Sequence, residues 1–315
     1  MELHPSIKEK KISVLIPAKN EKGNIELLLN RLDATFRQHR LNGDVVIVND
    51  GSTDGTDIIL NEKEQEYGFL KVMHHKTGLG LSAAMMTGFP ECRGDIVLFL
   101  PADLESDPVE DIPVLLNGFI DGAEVVLGWR VGRKDGKSLV SAIYNTISGR
   151  LFKVRFHDMN WIKAFTREAV EELNLRKDWH RFIVHILQTK GFKIKEVPTN
   201  WHERRYGTSK FDWRRIPTSF VDIFVVWLSL NFSHNPMRVF APIGYLLLLL
   251  GFGMGCALAA TYFLYETQYR PLFTVALILI LAGIQLLLSG FIAEMLVELK
   301  EEVRKIKRKI DTGSK

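Results

Sequence analysis

Three carboxylates follow one apolar run of this chain, at a spacing that could hold a cation. Residues 96–100 are apolar throughout and predict a buried strand, which Pro101 ends. Three acids come before Pro108, which can open a helix: Asp103, Glu105 and Asp107. Open α/β sheets bind ligands at the carboxyl ends of their strands, so these acids predict a site for a divalent cation and a diphosphate. The alternative is a solvated loop whose acids only cap the next helix.

A second acidic turn follows another apolar run, residues 45–48. Residues 49–55 are small and polar and predict a strand-to-helix turn. Because the carboxyl ends of neighbouring parallel strands meet at one sheet edge, we expect Asp50 to share a site with Asp103 and Glu105. Asp50 suits a base or ribose contact, and the acid pair suits a hard cation, Mg²⁺ or Mn²⁺. Such a cation would neutralise a departing nucleoside diphosphate.

The elements that would position these acids alternate between strands and helices. Strands are predicted at 12–17, 45–48, 69–73, 96–100, 124–127, 161–166 and 192–197. Helices are predicted from 25 onward and at 81–89, 109–120, 137–152, 168–173 and 179–189. This alternation predicts an α/β fold with a mostly parallel, Rossmann-like sheet and right-handed crossovers. The basic stretches 128–136 and 201–210 are predicted to be loops.

Two long apolar segments lie near the end of the chain, at 239–264 and 272–296. Each can cross about 30 Å of hydrocarbon. Positive residues flank the pair on both outer sides: Arg214, Arg215 and Arg238 before it, and six Lys or Arg residues from Lys300 to Lys309 after it. The positive-inside rule therefore predicts a transmembrane hairpin in the plasma (inner) membrane, with the first domain and both termini cytosolic.

These patterns divide the chain into four predicted parts. A cytosolic domain covers 1–210, amphipathic interfacial helices 211–236, two transmembrane helices 237–298 and a basic cytosolic tail 299–315; a core helix is the alternative for the interfacial part. The charged N-terminus lacks the apolar stretch of a secretory signal. Cys92 and Cys256 lie in unlike segments, which disfavours a disulfide. Glu294, inside the second span, is expected to reach the membrane interface or to contact another helix.

Five motifs occur in order between about residues 10 and 215: Pro17-Ala18-Lys19-Asn20-Glu21, Asn49-Asp50-Gly51-Ser52-Thr53-Asp54-Gly55-Thr56, Ala102-Asp103-Leu104, Gly128-Trp129-Arg130, and Arg205-Tyr206-Gly207-Thr208-Ser209-Lys210. Their order resembles the family 2 glycosyltransferases of the GT-A fold. Within that family it is similar to the polyprenyl-phosphate branch, which includes dolichol-phosphate mannose synthases and bacterial polyprenyl-phosphate glucosyltransferases. The membrane hairpin also matches many bacterial members.

The resemblance implies an enzyme and assigns roles to its residues. It would transfer one sugar, with inversion, from a UDP-glucose-like or GDP-mannose-like donor to polyprenyl phosphate at the cytosolic membrane face. The catalytic residues would be Asp103, Glu105, Arg130 and Asp158, with the Mg²⁺ or Mn²⁺ on Asp103 and Glu105. The nucleotide would contact Pro17, Ala18, Glu21, Asp50, Ser52 and Ala102. The phosphate and acceptor would contact Arg130, Arg133, Arg205, Ser209 and Lys210.

The central motif departs from the family pattern. Relatives usually read Asp-Ala-Asp-Leu-Gln, whereas this chain has Pro101 in place of the first acid and Glu105 in place of the Gln. The site therefore keeps two carboxylates but moves one of them. We expect Glu105 to restore the lost charge.

The acceptor determines what the enzyme must supply. A phosphate monoester has a second pKa near ~6, so it carries a nucleophilic oxygen at neutral pH and needs little help from a general base. The enzyme must bring two anions together, and positioned cations can do so. The candidates are Arg130, Arg133, Arg204, Arg205 and Lys210. Attraction to anionic lipid headgroups is the alternative role of the basic loop.

Two other functions fit parts of the pattern. A processive polysaccharide synthase is disfavoured because the chain lacks a Gln-x-x-Arg-Trp signature and two spans are too few for an export channel. A catalytically silent, membrane-anchored protein that binds nucleotide sugars fits the change at Pro101. No nucleic-acid partner is expected, and relatives with this hairpin suggest a homotetramer.

Overall fold

The computed structural model describes residues 2–131, 156–204, 225–226, 236–267 and 269–313. The chain divides into two compact units, Met1–Ile216 and Pro217–Lys315. The predicted helix at 137–152 and nearly all of the predicted interfacial segment at 211–236 lie outside the described residues.

The first unit alternates strands and helices, as its sequence predicts. Its strands are β1 (Lys11–Ala18), β2 (Asn42–Asn49), β3 (Leu70–His74), β4 (Ile96–Phe99), β5 (Val125–Val131), β6 (Lys163–Thr166) and β7 (Ile194–Asn200). Its α-helices are α1 (Pro5–Lys8), α2 (Lys22–His39), α3 (Thr56–Glu66), α4 (Leu81–Gly88), α5 (Pro108–Asn117), α6 (Arg167–Glu171) and α7 (Ile183–Thr189). Short 3₁₀ turns lie at Phe89–Glu91, Gly118–Asp121 and Trp179–Phe182.

Across the described residues, the seven strands form one sheet in the order β3-β2-β1-β4-β6-β5-β7. Only β6 runs antiparallel to its neighbours there. The central strands are apolar on both faces because helices cover them, and Val14, Ile47 and Leu98 are fully buried. The predicted mostly parallel α/β sheet is confirmed.

This topology gathers seven chain segments at one edge of the sheet. The carboxyl ends of β1, β2, β3, β4, β5 and β7 all point to this edge, and so does the amino end of β6. For example, Phe99, the last residue of β4, pairs with Lys163, the first residue of β6. The loops that leave this edge therefore bring together residues that are far apart in sequence.

Strand β5 is longer than predicted. Residues 128–131 were expected to begin a glycine-punctuated loop, but they continue the strand and pair with Val197 to Asn200 of β7. Gly128 is needed here for packing, since a Cβ atom would lie 2.4 Å from Ile162 Cγ1. The prediction of a loop at 128–131 was wrong. Glycine is favoured both in turns and at close packing contacts, and Gly128 is present for the second reason.

The second unit contains two long helices, α8 (Met237–Tyr265) and α9 (Arg270–Gly313). Within the described residues, both Met237–Tyr265 and the segment Arg270–Lys300 of α9 are long and apolar enough to cross a membrane. Helix α9 continues well past the predicted end of its span at 296. Glu294 accepts a hydrogen bond from the Met237 backbone N–H at 3.1 Å, so it caps the start of α8 and makes the helix contact that was one of its two predicted roles.

Glycines allow the two helices of the hairpin to approach closely. A Cβ atom on Gly283 would lie 2.8 Å from the Gly244 carbonyl oxygen and 3.0 Å from the Leu248 backbone nitrogen. Because both neighbours are backbone atoms, neither can move aside alone. We expect Gly283→Ala to destabilise the hairpin by about 1–3 kcal/mol through overpacking. Thermal unfolding in detergent measures this, with Gly253→Ala as the control because a Cβ atom there has no neighbour within 4 Å; equal melting temperatures for the two variants would contradict the packing.

Candidate active site

The acid pair after β4 meets at a single guanidinium group. Arg204 Nη2 lies 2.7 Å from Asp103 Oδ2, and Arg204 Nε donates to Glu105 Oε1 at 2.5 Å. Leu104, between the acids, has a φ of 57°, a left-handed backbone that is uncommon outside glycine. With this backbone, both carboxylates reach the same cation. The prediction that Asp103 and Glu105 can hold one positive charge is therefore consistent with their geometry.

The end of β7 delivers Arg204 to this pair. The His202 backbone N–H donates to the Glu105 carbonyl oxygen at 2.9 Å, which fixes the two segments side by side. Asn200 and His202 both hydrogen-bond Glu110 Oε2, at 2.8 and 3.2 Å. Arg204 is therefore held beside the acids by a backbone contact as well as by charge.

Burial and charge both act on the acid pair. Burial raises the pKa of Asp103, the nearby Glu105 charge raises it further, and Arg204 opposes both. For Arg204, burial lowers the pKa, but Asp103, Glu105 and Glu21 raise it above its usual value. Two partly buried carboxylates close together are stabilised by a cation between them. The two carboxylates therefore favour a bound positive charge between them.

The same carboxylates suit a divalent cation. Asp103 and Glu105 supply hard oxygen donors that converge on the Arg204 guanidinium, and a divalent cation held by these two acids would draw its other ligands from water or phosphate. Asp107, the third acid of the predicted cluster, does not join them. It caps α5 by accepting from the Val109 N–H at 3.1 Å and pairs with Arg31. For Asp107 the capping alternative is therefore the correct one.

Asp50 lies at the end of β2 with both carboxylate oxygens engaged. Oδ1 accepts from the Leu79 backbone N–H and lies 2.8 Å from His75 Nδ1, and Oδ2 accepts from the Gly80 N–H at 2.9 Å. Burial raises the pKa of Asp50, but these hydrogen bonds and Lys19 outweigh it and hold the pKa below its usual value. Asp50 therefore organises the loop at 78–80, and its predicted contact with a nucleotide stays a prediction.

Hydrogen bonds join the turn that carries Asp50 to the turn after β1. The Asp50 N–H donates to the carbonyl oxygen of Ala18, the last residue of β1. Ser52 Oγ accepts from the Asn20 N–H at 2.9 Å, and Asn20 Oδ1 accepts from the Thr53 N–H. The turns after β1 and β2 are thus fastened to each other. Pro17 lies at the end of β1, Glu21 lies just after that strand, and Ala102 follows β4 at the same edge of the sheet.

Arg130 and Asp158 are brought together from β5 and the segment before β6. Arg130 donates to Asp158 through Nε at 2.5 Å and through Nη2 at 3.1 Å, a bidentate pair. The guanidinium also lies 4.6 Å from the centre of the Trp161 ring. Both side chains are largely buried. Two residues predicted separately to act in catalysis therefore form one hydrogen-bonded ion pair.

Glu196 was not predicted, yet it positions Asp158. Its Oε1 accepts from the backbone N–H groups of His157 and Asp158, at 2.8 and 3.0 Å, and its Oε2 lies 2.7 Å from His157 Nδ1. The His157 ring stacks on Trp129, with ring centres 4.2 Å apart. No sequence signal pointed to Glu196, because its role depends on β7 lying beside the 157–158 turn.

Lys163 is a second group that the sequence did not single out. It is fully buried, its Nζ donates to the Trp161 carbonyl oxygen at 2.6 Å, and burial lowers its pKa to about 8. The remaining predicted phosphate ligands lie outside the described residues: Arg133, Arg205, Ser209 and Lys210.

The mostly parallel seven-stranded sheet, with carboxylates beyond β2 and β4, is a GT-A-like fold. The model of Glycosyl transferase family 2 matches residues 13–174, about half of the sequence. The chain therefore belongs to glycosyl transferase family 2. Residues 235–299 match the GtrB C-terminal hairpin, which confirms the two-helix hairpin and indicates association with a membrane.

Curated relatives cover nearly the whole chain. Dodecaprenyl-phosphate galacturonate synthase of Rhizobium johnstonii is 27% identical over 303 residues, 90% of this chain and 87% of the relative. Undecaprenyl-phosphate 4-deoxy-4-formamido-L-arabinose transferase of Photorhabdus laumondii is 26% identical over 302 residues, 94% of this chain and 91% of the relative. Both matches include the hairpin as well as the sheet domain.

Solved structures support the fold. Glucosyl-3-phosphoglycerate synthase of Mycobacterium tuberculosis, in complex with Mn²⁺, UDP and phosphoglyceric acid, aligns with a TM-score of 0.56 and 18% identity, covering 71% of this chain and 80% of that one. The same enzyme with Mg²⁺ and UDP aligns with a TM-score of 0.54 and 18% identity, covering 69% and 81%. These structural neighbours bind a divalent metal on the same fold.

Proposed function

We propose that this protein transfers a single hexose from a UDP- or GDP-sugar to polyprenyl phosphate, with inversion of the anomeric carbon. The observation that carries the proposal is the Asp103–Glu105 pair, two carboxylates converging on one cation at the sheet edge of a chain that also has a membrane hairpin. The named relatives act on dodecaprenyl or undecaprenyl phosphate, which supports this class of acceptor.

The residues of the site are proposed to have different roles in the reaction. Asp103 and Glu105 would hold Mg²⁺ or Mn²⁺, which supplies electrophilic stabilisation of the leaving nucleoside diphosphate when it is bound. Arg130, fixed by Asp158, provides a preorganised positive charge for a phosphate group. Asp158 orients that charge and is proposed to lie near the sugar. The acceptor phosphate attacks as its own nucleophile, so no side chain is required to remove a proton from it.

The hairpin and its flanking charges suggest on which side of the membrane the enzyme works. We propose that the sheet domain and both termini lie in the cytosol, because positive residues flank the hairpin on its outer sides. The enzyme would then work at the cytosolic face of the inner membrane, where nucleotide sugars and the lipid phosphate meet. A homotetramer is proposed as its assembly, and mass photometry in nanodiscs would test it.

Product analysis tests the function. Membranes that contain the protein are incubated with a panel of radiolabelled UDP- and GDP-sugars and extracted with chloroform and methanol. We expect one donor to give an organic-soluble glycolipid that mild acid hydrolyses, since a sugar phosphodiester is acid-labile. An aqueous polymer would instead indicate a processive synthase, and donor binding without product would indicate a silent binding protein; either result contradicts the proposal.

Glu196 provides a test of how Asp158 is positioned. Glu196→Ala removes the acceptor of two backbone N–H groups and is expected to lower kcat by about tenfold with little change in KM for the donor, because the misplaced group acts mainly in the transition state. Glu196→Gln keeps one carbonyl acceptor and should recover most of kcat. The control is Asp121→Ala. This change breaks a surface ion pair between Asp121 and Lys195, which lies on β7 beside Glu196. Equal kcat values for Glu196→Ala and the control would contradict this role.

A further inference from the structure

Arg204 contacts both of the carboxylates that are proposed to hold the metal ion. Its guanidinium uses Asp103 Oδ2 and Glu105 Oε1, one oxygen from each of the two proposed metal ligands. The second Asp103 oxygen, Oδ1, already accepts from the Glu105 backbone N–H at 3.2 Å. A divalent cation that binds Asp103 Oδ2 and Glu105 Oε1 would therefore share these oxygens with Arg204 and be repelled by its positive charge.

Arg204 is the partner that can leave. Its side chain is 34% exposed, whereas the side chains of Asp103 and Glu105 are 9% and 17% exposed. The acids are fixed by the backbone of their own loop, including the unusual left-handed Leu104. Arg204 has a long, flexible side chain whose charge persists at every physiological pH. Exchange of the cation therefore requires movement of the arginine side chain and not of the acid loop.

A displaced guanidinium needs a new anionic partner. Guanidinium groups bind phosphate well, through two parallel N–H···O contacts. A nucleoside diphosphate bound with the metal would bring such an anion to the site. Without the nucleotide, the displaced Arg204 side chain would be hydrated by water instead of paired with a phosphate. The free energy of metal binding would therefore be less favourable than with the nucleotide.

We propose that Arg204 and the divalent cation are alternative occupants of the Asp103–Glu105 pair, and that Arg204 makes metal binding depend on the nucleotide. Arg204 neutralises the acids in the empty site and moves to the diphosphate when metal and nucleotide enter together. This inference rests on the proposed function, because it takes Asp103 and Glu105 as the metal ligands. It adds Arg204 as the residue that couples the two ligands.

The experiment measures Mn²⁺ affinity of the full chain in detergent micelles by electron paramagnetic resonance, with and without UDP or GDP. Arg204→Met is expected to bind Mn²⁺ more tightly than the wild type when no nucleotide is present. The nucleotide should raise Mn²⁺ affinity less in this variant, because the coupling, typically about 5- to 150-fold, loses the contribution of Arg204. Arg204→Gln, which keeps hydrogen-bond donors for the acids, gives the same comparison if Arg204→Met does not fold. Arg37→Met is the control, since Arg37 pairs only with Asp33 on the surface of α2 among the contacts described.

Two results would overturn the inference. If Mn²⁺ affinity and its dependence on nucleotide are the same in the wild type, Arg204→Met and Arg204→Gln, then Arg204 does not compete with the metal. In that case, a loss of Mn²⁺ binding in Asp103→Asn would still support Asp103 as a metal ligand, and only the role of Arg204 would be wrong. If the wild type binds no Mn²⁺ even with nucleotide, both this inference and the proposed metal site fail, while the glycolipid assay still decides the function separately.

Discussion

Asp103→Asn is expected to lower the rate of sugar transfer by about 10²- to 10³-fold, the largest effect of any single change in this site. Asparagine keeps the size of the side chain but loses the negative charge that a divalent cation requires. It also leaves the Arg204 guanidinium with Glu105 as its charged partner in the acid pair. The loss should appear in kcat at saturating donor, because the proposed metal would act on the leaving group.

Asp107→Asn is the matched control for this prediction. Asp107 belongs to the same acidic run, but it caps α5 and pairs with Arg31. Asparagine is as good a helix cap as aspartate, so this variant should keep its activity and most of its stability. An active Asp103→Asn enzyme, or an Asp107→Asn enzyme as impaired as Asp103→Asn, would contradict the assignment of Asp103 to the metal.

The second large effect is expected at the Arg130–Asp158 pair. Arg130→Met should lower kcat by about 10²-fold, because it removes a fixed positive charge from the site. It should also destabilise the sheet domain by about 3 kcal/mol, because Asp158 would remain largely buried without its bidentate partner. Steady-state kinetics and thermal unfolding of the same preparation measure the two effects.

A double variant separates stability from catalysis at this pair. Arg130→Met with Asp158→Leu removes both charges, and so it should recover much of the lost stability while activity stays low. If the double variant regained activity together with stability, the pair would have only a structural role. Full activity of Arg130→Met itself would exclude Arg130 from the reaction.

The succession of strands and helices along the chain and the position of the acids at strand ends could be predicted from the sequence because local patterns determine them. Apolar runs such as 45–48 and 96–100 specify buried parallel strands, and polar turns follow at their carboxyl ends. The extension of β5 could not be predicted, since pairing of Gly128–Val131 with β7 is a tertiary contact. In the sequence Gly128 indicated a turn, whereas in the fold it allows close packing against Ile162.

The composition of the site was predictable, but its pairings were not. Asp103, Glu105, Arg130 and Asp158 were all identified as candidates, and Arg204 was among the cations expected to help two anions meet. That Arg204 pairs with the acids depends on the end of β7 passing beside the 103–105 loop. The role of Glu196 depends on the same strand. Pairings between loops on distant strands leave no periodic signal in one sequence, and nothing in the structure explains Pro101.

The central claim is that one sugar is moved onto a lipid phosphate, and one measurement tests it most directly. Purified protein in nanodiscs is given undecaprenyl phosphate, Mn²⁺ and each of several UDP- and GDP-sugars, and the lipid product is analysed by mass spectrometry. We predict a single new species, one hexose heavier than the lipid phosphate, formed with one donor and absent with Asp103→Asn. Release of nucleoside diphosphate without any glycosylated lipid, or a lipid that carries several sugars, would contradict the account.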